Sequence, residues 1–428
     1  MFTARGDLLT TLFAGPTLRS LRKRNARVFF AGLLVSNVGT WLQLTAMSLL
    51  VYRITGRATD LGITVALQFL PMLLLGTWAG AVADGRDKRT MAIVTQALLA
   101  AQAIVLGLID LAGLATVPVV WSLTLVVGVL GAFENPARRG LVTELVEPAD
   151  IANATSLNTA VMTGSRIFGP ALAALMVDTV GTAWCFLLNG ISFTAVLASL
   201  LALRPDELYT PPRRAPGGKP VREAIAFVVH HEFLLVVMVA MAIISTFAFN
   251  YSVSLPKLAD ARWGGEEHFG LVLSASSVGS MIGALVVARV EVIRLRTFLV
   301  MSVLLGVSGI GMAWAPNLGS ALAWSIPLGL GGAGFVSATN GITQQESPPD
   351  MRGRLLALTA VLFLGSTPIG GPITGLIGDR VGAEWSLAYG SVITLVTAAV
   401  AAIVLRRGRH AASTISRATE ARAPGRRR

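Results

Sequence analysis

The sequence predicts an all-α membrane protein with twelve transmembrane helices in two pseudo-symmetric six-helix bundles. Three observations predict it. Hydrophobic residues make up 54% of the 428-residue chain and charged residues 14%, with a mean hydropathy of +0.68. Soluble domains carry roughly 25% charged residues. Apolar windows of about 20 residues, the length a helix needs to cross a bilayer, recur along the whole chain. The third observation is a repeat. Ile167-Phe168-Gly169-Pro170 returns 202 residues later as Ile369-Gly370-Gly371-Pro372, and the pairs Glu144 and Glu346, and Phe133 and Phe335, keep that interval. A charged turn precedes each copy, Glu147-Pro148-Ala149-Asp150 in one and Pro348-Pro349-Asp350 in the other. The interval is close to half the chain, so one multi-helix unit is used twice.

The elements follow in order. Residues 1–27 form a basic N-terminal segment with Arg5, Arg19, Arg22, Lys23, Arg24 and Arg27. Its apolar run, Leu8–Ala14, is too short for the core of a cleaved signal, so the first span reads as an uncleaved anchor. The first bundle occupies 28–204, with spans near 28–52, 60–83, 90–111, 117–138, 151–177 and 183–203. Residues 205–232 are a linker: prolines and glycines first, then Val221–Val229 with apolar and charged faces, suited to the membrane surface. The second bundle occupies 233–405, with spans near 233–255, 269–289, 296–314, 318–341, 353–378 and 384–405. Residues 406–428 are an arginine-rich tail, expected to be unstructured and drawn to anionic lipid.

An even number of spans places both ends on one side. The segments on that side hold 29 lysines and arginines and the opposite loops hold five. This asymmetry predicts cytoplasmic termini. It also accounts for the net charge of +12 without nucleic acid. Cys185 is the single cysteine, so no internal disulfide and no cysteine-based metal or redox site is predicted.

The connection after the second span reads Gly80-Ala81-Val82-Ala83-Asp84-Gly85-Arg86-Asp87-Lys88-Arg89. It resembles the signature of the major facilitator superfamily: a glycine, an aspartate four residues on, then a basic cluster. Gly80, Asp84, Lys88 and Arg89 match, Arg86 is displaced by one position, and Gly85 and Asp87 depart from the pattern. The resemblance covers all twelve spans. It implies a latch in which the aspartate meets the start of the eleventh helix and shuts the cytoplasmic side. An anion is favoured at a helix N-terminus, which agrees. The bland alternative is a charged turn that only obeys the positive-inside rule.

The fifth span carries Ser156, Ser165, Gly169, Pro170, Ala173 and Ala174, and the eleventh carries Gly371 and Pro372. These resemble the superfamily's antiporter motif, with small residues in place of some glycines, and imply export. Small residues let helices approach closely, and proline lets a helix bend; close packing alone is the competing account. The segments 164–170 and 365–372 are similar to the branch that holds enterobactin exporters and macrolide efflux pumps.

Two charges lie inside spans. Glu134 is 16 residues before Asp150 and Arg166 is 16 after it. With a turn near Asp150, both reach a depth of roughly 24 Å on antiparallel helices. An unpaired intramembrane charge is costly, so an ion pair or a shared hydrogen-bond network is expected. The alternative places Glu134 in a cytoplasmic vestibule and Arg166 against carbonyls freed by Pro170. Glu134 is the best carboxylate for protonation, and Asp110 and Asp178 read as solvated caps at outer helix ends. Asn37 and Trp41 share a face of the first span, and Phe247, Asn250 and Tyr251 share one of the seventh. Gln68 and Asn158 add polar points. This mixture suits an amphiphilic organic ligand.

Glycine-rich Gly329–Gly334 spells a dinucleotide fingerprint but lies inside a span with no preceding strand. The four histidines lack metal-ligand spacing, and no nucleophile–base constellation appears, so neither a metal, a cofactor nor an enzyme is predicted. Two parallel halves around a central site are a transporter plan. The expectation is a transporter of the bacterial cytoplasmic membrane that exports a small amphiphilic molecule by alternating access and proton antiport, with protons and membrane lipids as partners. Uptake by the same fold, a passive channel (Asn135-Pro136-Ala137 echoes a water-channel motif) and a non-transporting sensor are the rival readings.

Overall fold

The computed structural model describes residues 16–209, 220–349 and 351–422. Twelve helical spans cross the molecule. The first six are Arg24–Thr55, Ala58–Gly85, Lys88–Leu111, Val117–Glu144, Ile151–Thr179 and Thr182–Leu201. The seventh is made of two helices, Glu232–Ala248 and Tyr251–Arg262. His268–Ala288, Leu295–Ala313 and Leu318–Glu346 follow as the eighth to tenth. The eleventh is again double, Arg352–Gly365 and Thr367–Arg380, and the twelfth runs Ala383–Arg422. No strand occurs among the described residues. Leu74, Leu175, Val381 and many other large apolar side chains stay exposed on the outer wall, as lipid contact requires.

Local chemistry ends and joins the helices. Gly56 closes the first span at φ 64°, and its N–H bonds the Tyr52 carbonyl at 2.7 Å; a left-handed position there favours glycine. The repeat is visible in the turns: Gly181 at φ 91° follows the fifth span and Gly382 at φ 140° follows the eleventh. Asp87 caps the third span by accepting from the Thr90 N–H at 2.5 Å. That backbone bond, with Arg89 and Lys88 nearby, holds the Asp87 carboxyl below its usual range despite some burial. The cap is therefore intact at neutral pH and fails as the pH falls through the lowered value. Asp87→Ala is expected to cost about 1 kcal/mol. Melting curves in detergent should differ between variant and wild type at pH 7 and converge in acid.

The hydrophobic core divides in a way that positions the site. One cluster joins both halves on the side away from the termini, through Leu49, Val51 and Phe186 from the first half and Val253, Leu258 and Phe269 from the second, and within the second half alone it runs on to the terminal side through Val287, Phe298 and Ile342. On the side of the termini two further clusters appear among the described residues, and neither joins the halves. Phe29, Leu141, Leu145 and Phe193 belong to one, all within the first half. Ala224, Val228, Leu234, Met238 and Leu355 form the other, all on the linker and second half. The halves are thus welded at the far side and distinct at the terminal side.

Two expectations need correction. The linker helix Pro220–Val229 does not rest on the membrane surface alone: Ala224 and Val228 are buried in that third cluster, and Arg354 pairs with Glu223. Its apolar residues split, with Ile225 and Val229 left exposed. The basic tail is not unstructured either; the last helix continues to Arg422. From His410 to Arg422 the chain has no proline or glycine and holds four alanines, the strongest helix former. Residues 423–428 lie outside the described part.

Candidate functional site: a polar cleft sealed at one end

At the far side the halves are held by side chains. The Tyr52 hydroxyl donates to Asp260 at 2.8 Å, and Arg53 Nε donates to Glu266 at 2.9 Å. Asp260 sits at the end of the seventh span, which runs further than the sequence windows predict. Asp379, at the end of the eleventh span, accepts from the Ala58 N–H (2.9 Å), the Thr59 N–H (2.8 Å) and Thr59 Oγ1 (2.6 Å), and pairs with Lys257 at 2.5 Å. Ala58 and Thr59 open the second span, so Asp379 meets orphan donors and the positive end of a helix dipole. Glycine makes the approach possible: a Cβ on Gly375 would lie 2.2 Å from the Ala58 carbonyl oxygen, and one on Gly62 would lie 2.4 Å from that of Gly371.

At the terminal side the charged groups serve their own half. Lys88 pairs with Glu144 at 2.6 Å, and Arg89 donates to the Leu200 and Leu201 carbonyls at 2.8 and 3.1 Å. Arg86 is exposed, and a Cβ on Gly80 would meet open space. The Asp84 side chain lies outside the described residues. The hydrogen bonds and ion pairs that join the halves are at the far side and at mid-depth, where Ser274 Oγ donates to the Ile167 carbonyl at 2.7 Å.

Between seal and opening lies a polar centre. Arg166 sits at the middle of the fifth span with its side chain only partly covered by protein, and its guanidinium lies 5.1 Å from the Trp41 ring centre. It interacts electrostatically with Tyr251 of the other half. The Tyr251 hydroxyl, Asn37 Nδ2 and Asn250 Oδ1 are buried without hydrogen-bond partners. Both interrupted spans break at this level. The eleventh breaks at Ser366, just before Thr367-Pro368, where proline has no N–H to continue the ladder. The seventh breaks at Phe249 and Asn250, and Asn250 Nδ2 donates to the Thr246 carbonyl at 2.7 Å. The break rotates the expected trio apart. Phe247 packs edge-on against Tyr389 of the twelfth span, whereas Tyr251 lies against Phe249.

The expected Glu134–Arg166 pair is not formed. Glu134 instead accepts from Arg138 Nε at 2.8 Å, one turn away on the same helix, and from Gln96 Nε2 at 3.3 Å. Arg138 reaches on to Asn158 (3.4 Å) and Asn135 (3.2 Å), tying the third, fourth and fifth spans together. The two charges share a depth but not a direction, and a partner at i+4 is the nearer one. Gln68 is half-buried, with its carbonyl at the contact where a Cβ on Gly128 would stand 2.5 Å away.

A family model described as transmembrane secretion effector matches residues 16–424. The chain belongs to this family of the major facilitator superfamily. Among its relatives, the multidrug efflux pump Tap of Mycolicibacterium fortuitum is 26% identical, covering 94% of this chain and 97% of that one. The staphyloferrin A transporter of Staphylococcus aureus is 25% identical over 83% of this chain and 90% of its own length. The macrolide efflux protein A of Streptococcus pyogenes is 22% identical over 86% and 93%. In fold the chain is similar to the nucleoside transporter NupG, with a TM-score of 0.73 at 11% identity, covering 89% of this chain and 99% of that one. A bacterial homologue of ferroportin, solved inward-facing, gives 0.65 at 15% identity over 90% and 98%. Membrane transport of small molecules is the function these kinships support.

In this secretion-effector transporter the antiporter-type residues make contacts. Ser165 is buried, and a Cβ on Gly169 would stand 2.4 Å from Trp41 Cβ and 2.9 Å from the Val38 carbonyl oxygen. Pro170 lacks the N–H that would bond the Arg166 carbonyl, and its own carbonyl faces Gly270 of the eighth span. Gly371 and Pro372 face Gly62 of the second span. Gly169→Ala is expected to overpack the first and fifth spans at a cost of about 1–3 kcal/mol. A lower melting temperature in detergent would show it. Sequence reasoning missed Arg138, Gln96, Lys257 and Asp379. For Asp379 a signal existed: Gly375-Leu376-Ile377-Gly378-Asp379 has the same glycine-to-aspartate spacing as Gly80 and Asp84.

Proposed function

We propose that the chain is a secondary active exporter of a small amphiphilic organic molecule, working by alternating access and proton antiport. One observation carries the reading: the halves are sealed at one end by Asp379, Asp260 and Glu266 and keep separate cores at the other, with a polar centre between. The lysine and arginine asymmetry assigns the open end to the cytoplasm, which makes this the loading state. Asn37, Trp41, Gln68, Asn158, Phe247, Asn250 and Tyr251 are the cavity candidates, with Phe247 packed against Tyr389. In the outward-open state Asp84, with Gly80, Arg86, Lys88 and Arg89, latches the cytoplasmic side. Glu134 takes the proton: protonation would release Arg138 and loosen the link to Asn158. The export direction follows the efflux names of the relatives and the antiporter-type residues.

The test is flux in proteoliposomes under an imposed pH gradient, screening amphiphilic antibiotics and siderophores. Substrate-dependent proton movement in wild type, absent in Glu134→Gln and weakened in Asp84→Asn, is the expected result. Flux that ignores the gradient would sink proton coupling and return the channel reading.

A further inference from the structure

Arg166 is a cation without an anion. It lies near the midpoint of the span Ile151–Thr179, and a guanidinium stays charged at any working pH. Among the described residues it forms no ion pair and no hydrogen bond. The acidic residues near the centre cannot serve it. Every aspartate and glutamate of the spanning helices except Glu134 lies within three residues of a helix end, and Glu134 is taken by Arg138. An intramembrane charge is expensive unless paired or hydrated. The Trp41 face holds the guanidinium in place but is a weak substitute for a counter-ion. Across the cleft stands the unpartnered hydroxyl of Tyr251, and one turn from Trp41 stands the unpartnered amide nitrogen of Asn37. The centre thus offers a fixed cation and spare donors, and lacks an anion to meet them.

The geometry points to Arg166 as the receptor for an anionic group, a carboxylate or an equivalent acid, on the transported molecule. The guanidinium fork accepts such a group through paired N–H donors, and Tyr251 supplies a donor from the other half. A ligand held this way bridges the fifth and seventh spans, so its charge helps draw the halves together over it. The apolar remainder meets Trp41 and Phe249. This assignment rests on the export reading and narrows its substrate class to amphiphilic anions.

Calorimetric titration of the purified full-length protein in a neutral detergent tests it with four probes: fusidate, its methyl ester, ethidium and dihexanoyl phosphatidylglycerol. Wild type is expected to prefer fusidate to the ester, a comparison that needs no variant. Arg166→Gln should weaken fusidate by about 10- to 100-fold and leave the ester within about twofold. Arg166→Lys should restore part of the loss, since it keeps the charge without the fork. Equal wild-type affinity for acid and ester, or a parallel loss of both in Arg166→Gln, would overturn the assignment. Arg166-dependent binding of the phospholipid with none of fusidate would give the site to a lipid headgroup and overturn the substrate class. Wild type that binds none of the four would overturn the export reading, and the receptor with it.

Discussion

Asp379→Ala is expected to unseal the far side. The substitution removes four contacts at once: two backbone N–H groups, the Thr59 hydroxyl and the Lys257 ammonium. Hydrogen bonds to a charged group are worth about 1.5–3 kcal/mol each, and part of that is recovered from water once the seam opens. A net shift of about 3 kcal/mol moves a conformational equilibrium by about 100-fold. Spin labels at Val180 and Val381, exposed far-side positions of the two halves, report the change as a longer distance. The one native thiol, Cys185, is buried. Asp379→Asn should fall between variant and wild type because it keeps an acceptor oxygen, and Lys257→Gln should do least. An Asp379→Ala distance distribution that overlays wild type would remove this clamp from the mechanism.

The second large effect belongs to the Glu134–Arg138 pair. Both side chains are about one-tenth exposed, 11% and 10%, so neither charge is well solvated alone. Removing one partner of a buried pair leaves the other uncompensated, typically at about 3–5 kcal/mol. Glu134→Gln strands a guanidinium that cannot discharge, and a loss near the lower figure is expected. Arg138→Gln strands a carboxylate that, unlike a guanidinium, can be neutralised, so its cost should be smaller. The double variant Glu134→Gln/Arg138→Gln should recover more than half of the Glu134→Gln loss. Melting of all four proteins closes the cycle; additive losses would mean that the pair is not coupled. The same double variant separates stability from coupling in the flux assay, since it folds without a protonatable group.

The spans and the twofold repeat were legible because they rest on one-dimensional quantities: apolar length and interval. Even the turn glycines Gly181 and Gly382 repeat along the chain as they do in space. What escaped depends on rotation about helix axes. Counting 16 residues from Asp150 placed Glu134 and Arg166 at one depth, yet depth says nothing about direction, and Arg138 was the partner. The break of the seventh span escaped for a related reason. Phe249 and Asn250 carry no proline or glycine, so the interruption comes from tertiary packing, whereas Pro368 marks the break in the eleventh. The Asp379 clamp joins residues 320 positions apart and needed a motif read on the opposite face of the membrane.

The two seams between the halves are not alike. Where the second and eleventh spans meet, the contact includes the charged Asp379 and Lys257. Where the fifth and eighth meet, it is neutral: Ser274 on the Ile167 carbonyl and Gly270 against Pro170, while Asp178, at the end of the fifth span, is exposed and unpaired among the described residues. Under the proposed alternating access, a rocking motion has a bolted edge and a pivot edge. The neutral seam can turn in place with little change in solvation, whereas the charged seam must hydrate its ions as it parts. In the proposed alternating-access cycle, cargo leaving on the far side would accordingly pass between the second and eleventh spans, and the salt and acidity of the outer medium would act on that doorway.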